Sequence, residues 1–291
     1  MTTMRTDRTM PKRCLLLAVA LMICIPLAGA KPLHRLDAHG ARRVSLHAPP
    51  LLRVFIAGDS TSAVYAPDRY PQLGWGMVLK CAFSNDVVVY DYAKGGRSTK
   101  SFIAQGLLDE MAAQFAKGDT LLIAFGHNDE RADDPARFTD PDGDFRTYLM
   151  QFVSTARAKG VVPVLLTPVT RRTVENGQAV DTHAPYARAV RDVAVQENVP
   201  LIDLDADSMA WLGRIGPEEA KKYFLYVPGG TYLRYTDAVS DDTHSTELGA
   251  RAIADLVAGR LATLPIPIAA RVMPIRPALT RPVPVGSASC E

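Results

Sequence analysis

The chain has 291 residues, 47% of them hydrophobic and 22% charged, a balance that suits an ordinary globular protein and excludes a disordered one. A chain this long can bury a core without a structural metal or disulfide. Its formal net charge is +2; setting aside residues 1–30 leaves 29 basic against 30 acidic residues, which provides no electrostatic footprint for nucleic acid.

Residues 1–30 read as an export signal. Arg5, Arg8, Lys12 and Arg13 form a basic head, Leu15 to Leu27 is an apolar run broken by Pro26, and Ala28-Gly29-Ala30 is a small-residue cleavage pattern. The run is shorter than the ~20 residues a membrane span needs. A secreted or periplasmic protein with no stable membrane association is therefore expected. Cys14 and Cys24 fall in this segment, leaving Cys81 and Cys290. An oxidising compartment permits them to pair, but nothing in their spacing brings them together. No Cys or His cluster has zinc spacing, so neither metal nor cofactor is expected.

Residues 31–52 are a polar lead-in. Short apolar runs follow at 53–57, 87–90, 120–125, 161–166 and 199–203, hydrophobic almost throughout, as strands buried on both faces of a parallel sheet are. Pro163 fits such a strand best at an edge or at its start. Helical patterns fill the gaps at about 73–83, 101–117, 144–159, 184–197 and 246–262. The alternation predicts a three-layer α/β/α domain with a five-stranded parallel sheet over residues 53–262. Residues 263–291 carry six prolines and are expected to wrap the surface or to be disordered.

In such a sheet, ligands bind at the carboxyl ends of the strands. Four motifs sit there or just before the last helix. Gly58-Asp59-Ser60-Thr61 follows the first strand, and if a helical turn begins there its free N–H groups favour negative charge at Ser60; an N-capping serine is the plainer reading. Gly95-Gly96 after the second strand can expose an amide to a ligand or simply turn the chain. Gly126-His127-Asn128-Asp129 after the third offers an Asn amide to an oxyanion, or again a turn. Asp241-Asp242-Thr243-His244 places an acid three residues before a histidine, a spacing that can orient the imidazole. Each motif alone is weak; together they supply every part of an acyl-transfer site.

The series Gly58-Asp59-Ser60-Thr61, Gly96-Arg97-Ser98, Phe125-Gly126-His127-Asn128-Asp129 and Asp241-x-Thr243-His244, with Tyr70-Pro71 and Gly74-Trp75-Gly76 between the first two, resembles the SGNH (GDSL-like) hydrolase superfamily. Within it, the likeness is to the rhamnogalacturonan acetylesterases, over about residues 53–260. The resemblance implies a flavodoxin-like SGNH fold and a serine esterase. Ser60 is then the nucleophile, His244 the base and Asp241 its orienter, with Asp242 the rival for that place. The oxyanion hole comprises the amides of Ser60 and Gly96 and the side chain of Asn128. Arg97 and His127 read as structural or rim residues, and Asp59 as support for the turn. One departure stands out: the second block usually opens with Asn and here holds Asp91, which keeps an acceptor and loses a donor.

Trp75, Tyr232 and Tyr235 are candidates for aromatic walls against a sugar, with ordinary packing as the alternative. Export and the resemblance imply removal of acetyl groups from an acetylated cell-wall polysaccharide or oligosaccharide, pectic in kind, by a monomer. The alternatives are an esterase or lipase acting on lipid or other small esters, and a non-catalytic sugar-binding relative.

Overall fold

The computed structural model describes residues 51–291; the export-signal expectation and nearly all of the lead-in lie outside them. Strand β1 (Leu52–Gly58) is followed by the short helix α1 (Trp75–Leu79), then β2 (Val87–Asp91), α2 (Thr99–Ala104), α3 (Leu107–Ala112) and β3 (Thr120–Ala124). Next come α4 (Asp144–Ala158), β4 (Val162–Leu166), the small pair β5 (Val174–Glu175) and β6 (Gln178–Ala179), and α5 (Ala184–Gln196). The chain continues through β7 (Leu201–Ile202), α6 (Leu204–Ile215), α7 (Pro217–Ala220), β8 (Phe224–Val227), β9 (Val239–Ser245) and α8 (Glu247–Leu261).

Five strands form the parallel sheet that the apolar runs predict, and their order in it is β2-β1-β3-β4-β7. Their alternate residues feed two cores. Val54, Ile56, Leu122, Val164 and Leu166 face α1 and α8, while Phe55, Ala57, Leu121, Ile123 and Leu165 face α4 and α5. Burial on both faces explains why these strands show no polar alternation. Strand order reverses between β2 and β3 on either side of β1, so the crevice opens where β1 and β3 end.

Pro163 is tolerated for a local reason. It lies opposite Leu121 of β3, while β7 joins β4 only at Leu165 and Leu166. The N–H that proline lacks would have pointed to the flank that β7 does not reach.

Residues 263–291 wrap the surface, the first of the two expected alternatives. Val272 bridges to Phe83, Met273 N–H donates to the Ala82 carbonyl, and Ile268 and Leu279 join the core beside α8. Cys81 and Cys290 are joined by a disulfide. The helix α6 and the antiparallel pair β8–β9 were not among the expected elements.

Candidate active site

Strand β1 delivers the chain into a single helical turn at Asp59–Ala63 that no helix continues. The turn is closed by Ala63 N–H donating to the Asp59 carbonyl at 3.1 Å. Asp59 is buried, and its Oδ1 accepts from the backbone N–H (2.9 Å) and hydroxyl (2.8 Å) of Thr61. Its Oδ2 lies 3.4 Å from Nδ1 of His127. Burial opposes ionisation of Asp59, but His127 and Thr61 outweigh it and hold the carboxyl below its ordinary range. Burial pushes His127 down to about 4, so its ring stays neutral and supports the turn. Tyr65 adds a hydrogen bond from its hydroxyl to the Ser60 carbonyl at 2.7 Å. Ser60 is left half-buried, its backbone fixed from both sides.

The loop after β2 folds back on this turn. Lys94 N–H donates to the Gly58 carbonyl at 3.1 Å, and a Cβ added at Gly95 would sit 3.8 Å from Cβ of Ser60. Gly96 has φ +76°, a conformation that a side chain would strain. Ser98 then caps α2 through a reciprocal capping box with Ser101. The third loop is tied to the second. Asp129 Oδ1 accepts from the N–H (3.0 Å) and hydroxyl (2.5 Å) of Thr99, and Asn128 Nδ2 donates to the Arg97 carbonyl at 3.1 Å. That bond uses one amide hydrogen of Asn128 and leaves the second for a ligand. Among the described residues, the N–H groups of Ser60 and Gly96 donate to no protein acceptor. Gly126 lets this loop pass Pro168, whose Cγ lies 2.5 Å from where a Cβ would stand.

His244 arrives on β9. Its Nε2 is 2.9 Å from Ser60 Oγ, and its Nδ1 is 2.7 Å from Asp241 Oδ2. A carboxylate at Nδ1 places the ring proton there and leaves Nε2 to accept from the serine hydroxyl. Asp241 Oδ1 also accepts from the N–H groups of Thr243 (2.7 Å) and His244 (3.0 Å). Burial would raise the Asp241 carboxyl, but the His244 ring and these two amides lower it to about 2. Asp242 points elsewhere: its Oδ1 accepts from Arg172 Nε at 2.6 Å and from the Tyr226 hydroxyl at 2.6 Å. Of the two adjacent acids, Asp241 meets the imidazole and Asp242 meets a guanidinium.

Two of the aromatic expectations need correction. Trp75, the first residue of α1, is fully buried in the core and offers no face to a sugar. Tyr235 is buried as well, with its hydroxyl bound to the Arg69 carbonyl at 2.9 Å. Tyr232 is half-buried and lines a cleft of about 240 Å³ with Tyr70, Tyr226, Lys222 and Thr246. Arg97 folds onto its own loop, donating to the Gly95 carbonyl and to Gln105.

Sequence reasoning missed Arg171 and Arg172, which leave β4 and reach Thr243 and Asp242 respectively. Their position after a strand end was the available signal. Among the described residues, no group of three or more His, Cys, Asp or Glu side chains is arranged to hold a metal ion.

Comparison with known proteins shows the family and the fold. Residues 56–252 match the model of the GDSL-like lipase/acylhydrolase family. Rhamnogalacturonan acetylesterase RhgT of Bacillus subtilis is 40% identical over 218 residues, covering 75% of this chain and 92% of that one. The probable rhamnogalacturonan acetylesterase YesY of the same species is 36% identical over 74% of this chain and 94% of that one. Among solved structures, YxiM from Bacillus subtilis superposes with a TM-score of 0.61 at 26% identity, over 72% of this chain and 56% of that one. The acetyl xylan esterase AlAXEase shares the fold, with a TM-score of 0.52 at 20% identity over 73% of this chain and all of that one. The chain belongs to the GDSL-like lipase/acylhydrolase family and is a carboxylic ester hydrolase of the SGNH fold.

Proposed function

From that membership, we propose an exported acetylesterase that removes acetyl groups from a cell-wall polysaccharide, rhamnogalacturonan in particular, through an acyl-enzyme. The observation that carries this reading is the 2.9 Å contact between His244 Nε2 and Ser60 Oγ, with Asp241 on the other ring nitrogen. Ser60 Oγ attacks the acetyl carbonyl as His244 Nε2 takes its proton. The imidazolium that forms is stabilised by Asp241, which stays ionised. The negative charge developing on the carbonyl oxygen is met by the free amides of Ser60 and Gly96 and the second Nδ2 hydrogen of Asn128. His244 then protonates the departing sugar oxygen, the C–O bond breaks, and water repeats the sequence to release acetate.

Substrate class rests on the 40% identity to RhgT over 92% of its length. The cleft lined by Tyr70, Tyr226 and Tyr232 opens beside Thr246, two residues beyond the base, and suits a sugar ring stacked on an aromatic face. The N-terminal pattern at residues 1–30 supports export to where such polymers lie.

The test is acetate release from acetylated rhamnogalacturonan beside acetylated xylan and long-chain p-nitrophenyl esters. Rhamnogalacturonan should be deacetylated with the highest kcat/KM, and Ser60→Ala should lose activity by about 10,000-fold or more. Preference for long-chain esters, or an active Ser60→Ala variant, defeats the proposal.

A further inference from the structure

The loops carrying Ser60, Gly96 and Asn128 all leave strands of the parallel sheet. The last two are bonded to each other through Asp129 and the Arg97 carbonyl, and the Ser60 turn is joined to the Gly96 loop by Lys94 N–H donating to the Gly58 carbonyl. The segment carrying Asp241 and His244 is different. It belongs to the separate β8–β9 pair, so the main ladder does not set its distance from Ser60. Just past His244 it is held by Leu73 N–H donating to the Ser245 carbonyl at 3.1 Å. On the Asp241 side it is held by the loop that leaves β4, through Arg172 N–H donating to the Asp242 carbonyl at 2.8 Å and through two side chains. Arg172 grips Asp242, while Arg171 donates from Nη1 to the Thr243 hydroxyl.

The other arm of Arg171 reaches the oxyanion loop. Its Nη2 lies 2.5 Å from Oε1 of Glu130, two residues beyond Asn128, and Glu130 N–H donates to the Gly126 carbonyl at 3.1 Å. Glu130 Oε2 meets Nδ1 of His183 at 2.9 Å, and that ring is fully buried. The anchor is therefore rigid on one side. On the other, Thr243 N–H is bonded to the same Asp241 carboxylate that orients His244. We propose that Arg171 is a positioning residue for the reaction, a fork that fixes the Asp241–His244 segment against the loop bearing Asn128. A planar guanidinium holds the two partners on separate nitrogens in a fixed geometry, whereas an ammonium would have to reach both from a single atom on a flexible stem.

This inference rests on the catalytic roles proposed above. Near-attack geometry tolerates little slack, and a displacement of about 1 Å can cost about 100-fold in rate. The measurement is kcat and KM for p-nitrophenyl acetate per active site, with sites counted by a serine-directed phosphonate. Arg171→Gln should lower kcat by about 10- to 100-fold while KM changes far less. Arg171→Lys should recover part of that loss. Glu130→Gln should also lower kcat, and the Arg171→Gln/Glu130→Gln double variant should be no worse than Arg171→Gln, because the two act as one unit. Arg131→Gln, an exposed neighbour paired with Asp133, is the control and should match the parent.

Three outcomes would overturn the inference: kcat per site unchanged in Arg171→Gln, a loss confined to KM, or a loss explained by fewer titratable sites. The first frees the dyad from the fork, the second makes Arg171 a substrate contact, and the third makes it a packing residue. An active Ser60→Ala variant would instead break the catalytic reading itself, so the two failures stay distinguishable.

Discussion

His244 and Glu247 are three residues apart, yet they serve two regions built on opposite terms. His244 faces the strand-end rim, half-buried, and its two ring nitrogens bond to Ser60 and Asp241. Glu247 opens α8 and is fully buried. It accepts from Arg251, from the Tyr70 hydroxyl and from the N–H groups of Val285 and Gly286. Arg251, equally buried, donates to the carbonyls of Ala278, Ser287 and Ser289. A buried ion pair survives only if its remaining hydrogen-bonding capacity is met, and here the C-terminal tail meets it. The rim thus keeps groups free for a ligand, whereas the tail region spends every group on the protein itself. Substitutions at the rim should change turnover and leave stability alone, and those under the tail should do the reverse.

The rim offers the largest effects. Asp241→Asn is expected to lower kcat by about 10,000-fold, since the amide no longer stabilises the imidazolium or holds its tautomer. Asp242→Asn should cost far less, because that carboxylate helps hold the segment through Arg172 and Tyr226 and does not touch the imidazole. Equal losses in the two variants, measured on p-nitrophenyl acetate, would erase the distinction between the adjacent acids. Asn128→Ala comes next: removal of one oxyanion donor costs about 100- to 1,000-fold in kcat, with the thermal midpoint unmoved. Unimpaired turnover in that variant would take Asn128 out of the site.

The same contrast governs what could be read in the sequence. The five strands were legible because burial on both faces makes a strand apolar throughout, and the rim motifs, each weak alone, because three of them follow strands and the set together supplies the parts of one site. Glu247 and Arg251 were not legible. At a spacing of four they read as an exposed helix pair, and only the tail folding over them makes them interior. In the sequence Trp75 stands open between a sugar-facing wall and ordinary packing, because a lone aromatic does not show which way its helix turns; α1 turns it into the core. Arg171 was missed because no motif frames it; its role comes from contacts with Glu130 and Thr243, 41 and 72 residues distant. Disulfide partners 209 residues apart give no local signal at all.

Under the tail, Cys290→Ser tests the other half of the comparison. The cross-link closes a long loop and so restricts the unfolded chain. Its removal should cost about 2–5 kcal/mol of stability, measured by denaturant unfolding. At low temperature kcat should match the parent, because the disulfide makes no contact with the rim residues. A fall in kcat per titrated site with stability preserved would join the two regions that the contacts keep apart.

Asp91 lies on the border between them and sharpens the contrast most finely. Its Oδ1 accepts from Ala93 N–H at 3.0 Å at the start of the Gly95-Gly96 loop, while its Oδ2 is buried without a partner. Gly76 stands against that oxygen: a Cβ there would lie 2.3 Å from Oδ2 and 2.6 Å from the Ser62 carbonyl. Burial, partly opposed by the Ala93 amide, raises the carboxyl to about 8, so it holds its proton at neutrality in the folded chain. Unfolded, it ionises near ~4. Between those values the folded state binds the extra proton, and stability therefore falls as pH rises from about 4 to about 8. Asn at this place, as the family usually has, keeps the acceptor, adds a permanent donor and does not titrate. Asp91→Asn should stabilise the protein by about 1–3 kcal/mol at pH values around 8, with the gain fading toward about pH 4 and kcat little changed. A gain of equal size throughout that range would mean that packing, and not the proton, sets the difference.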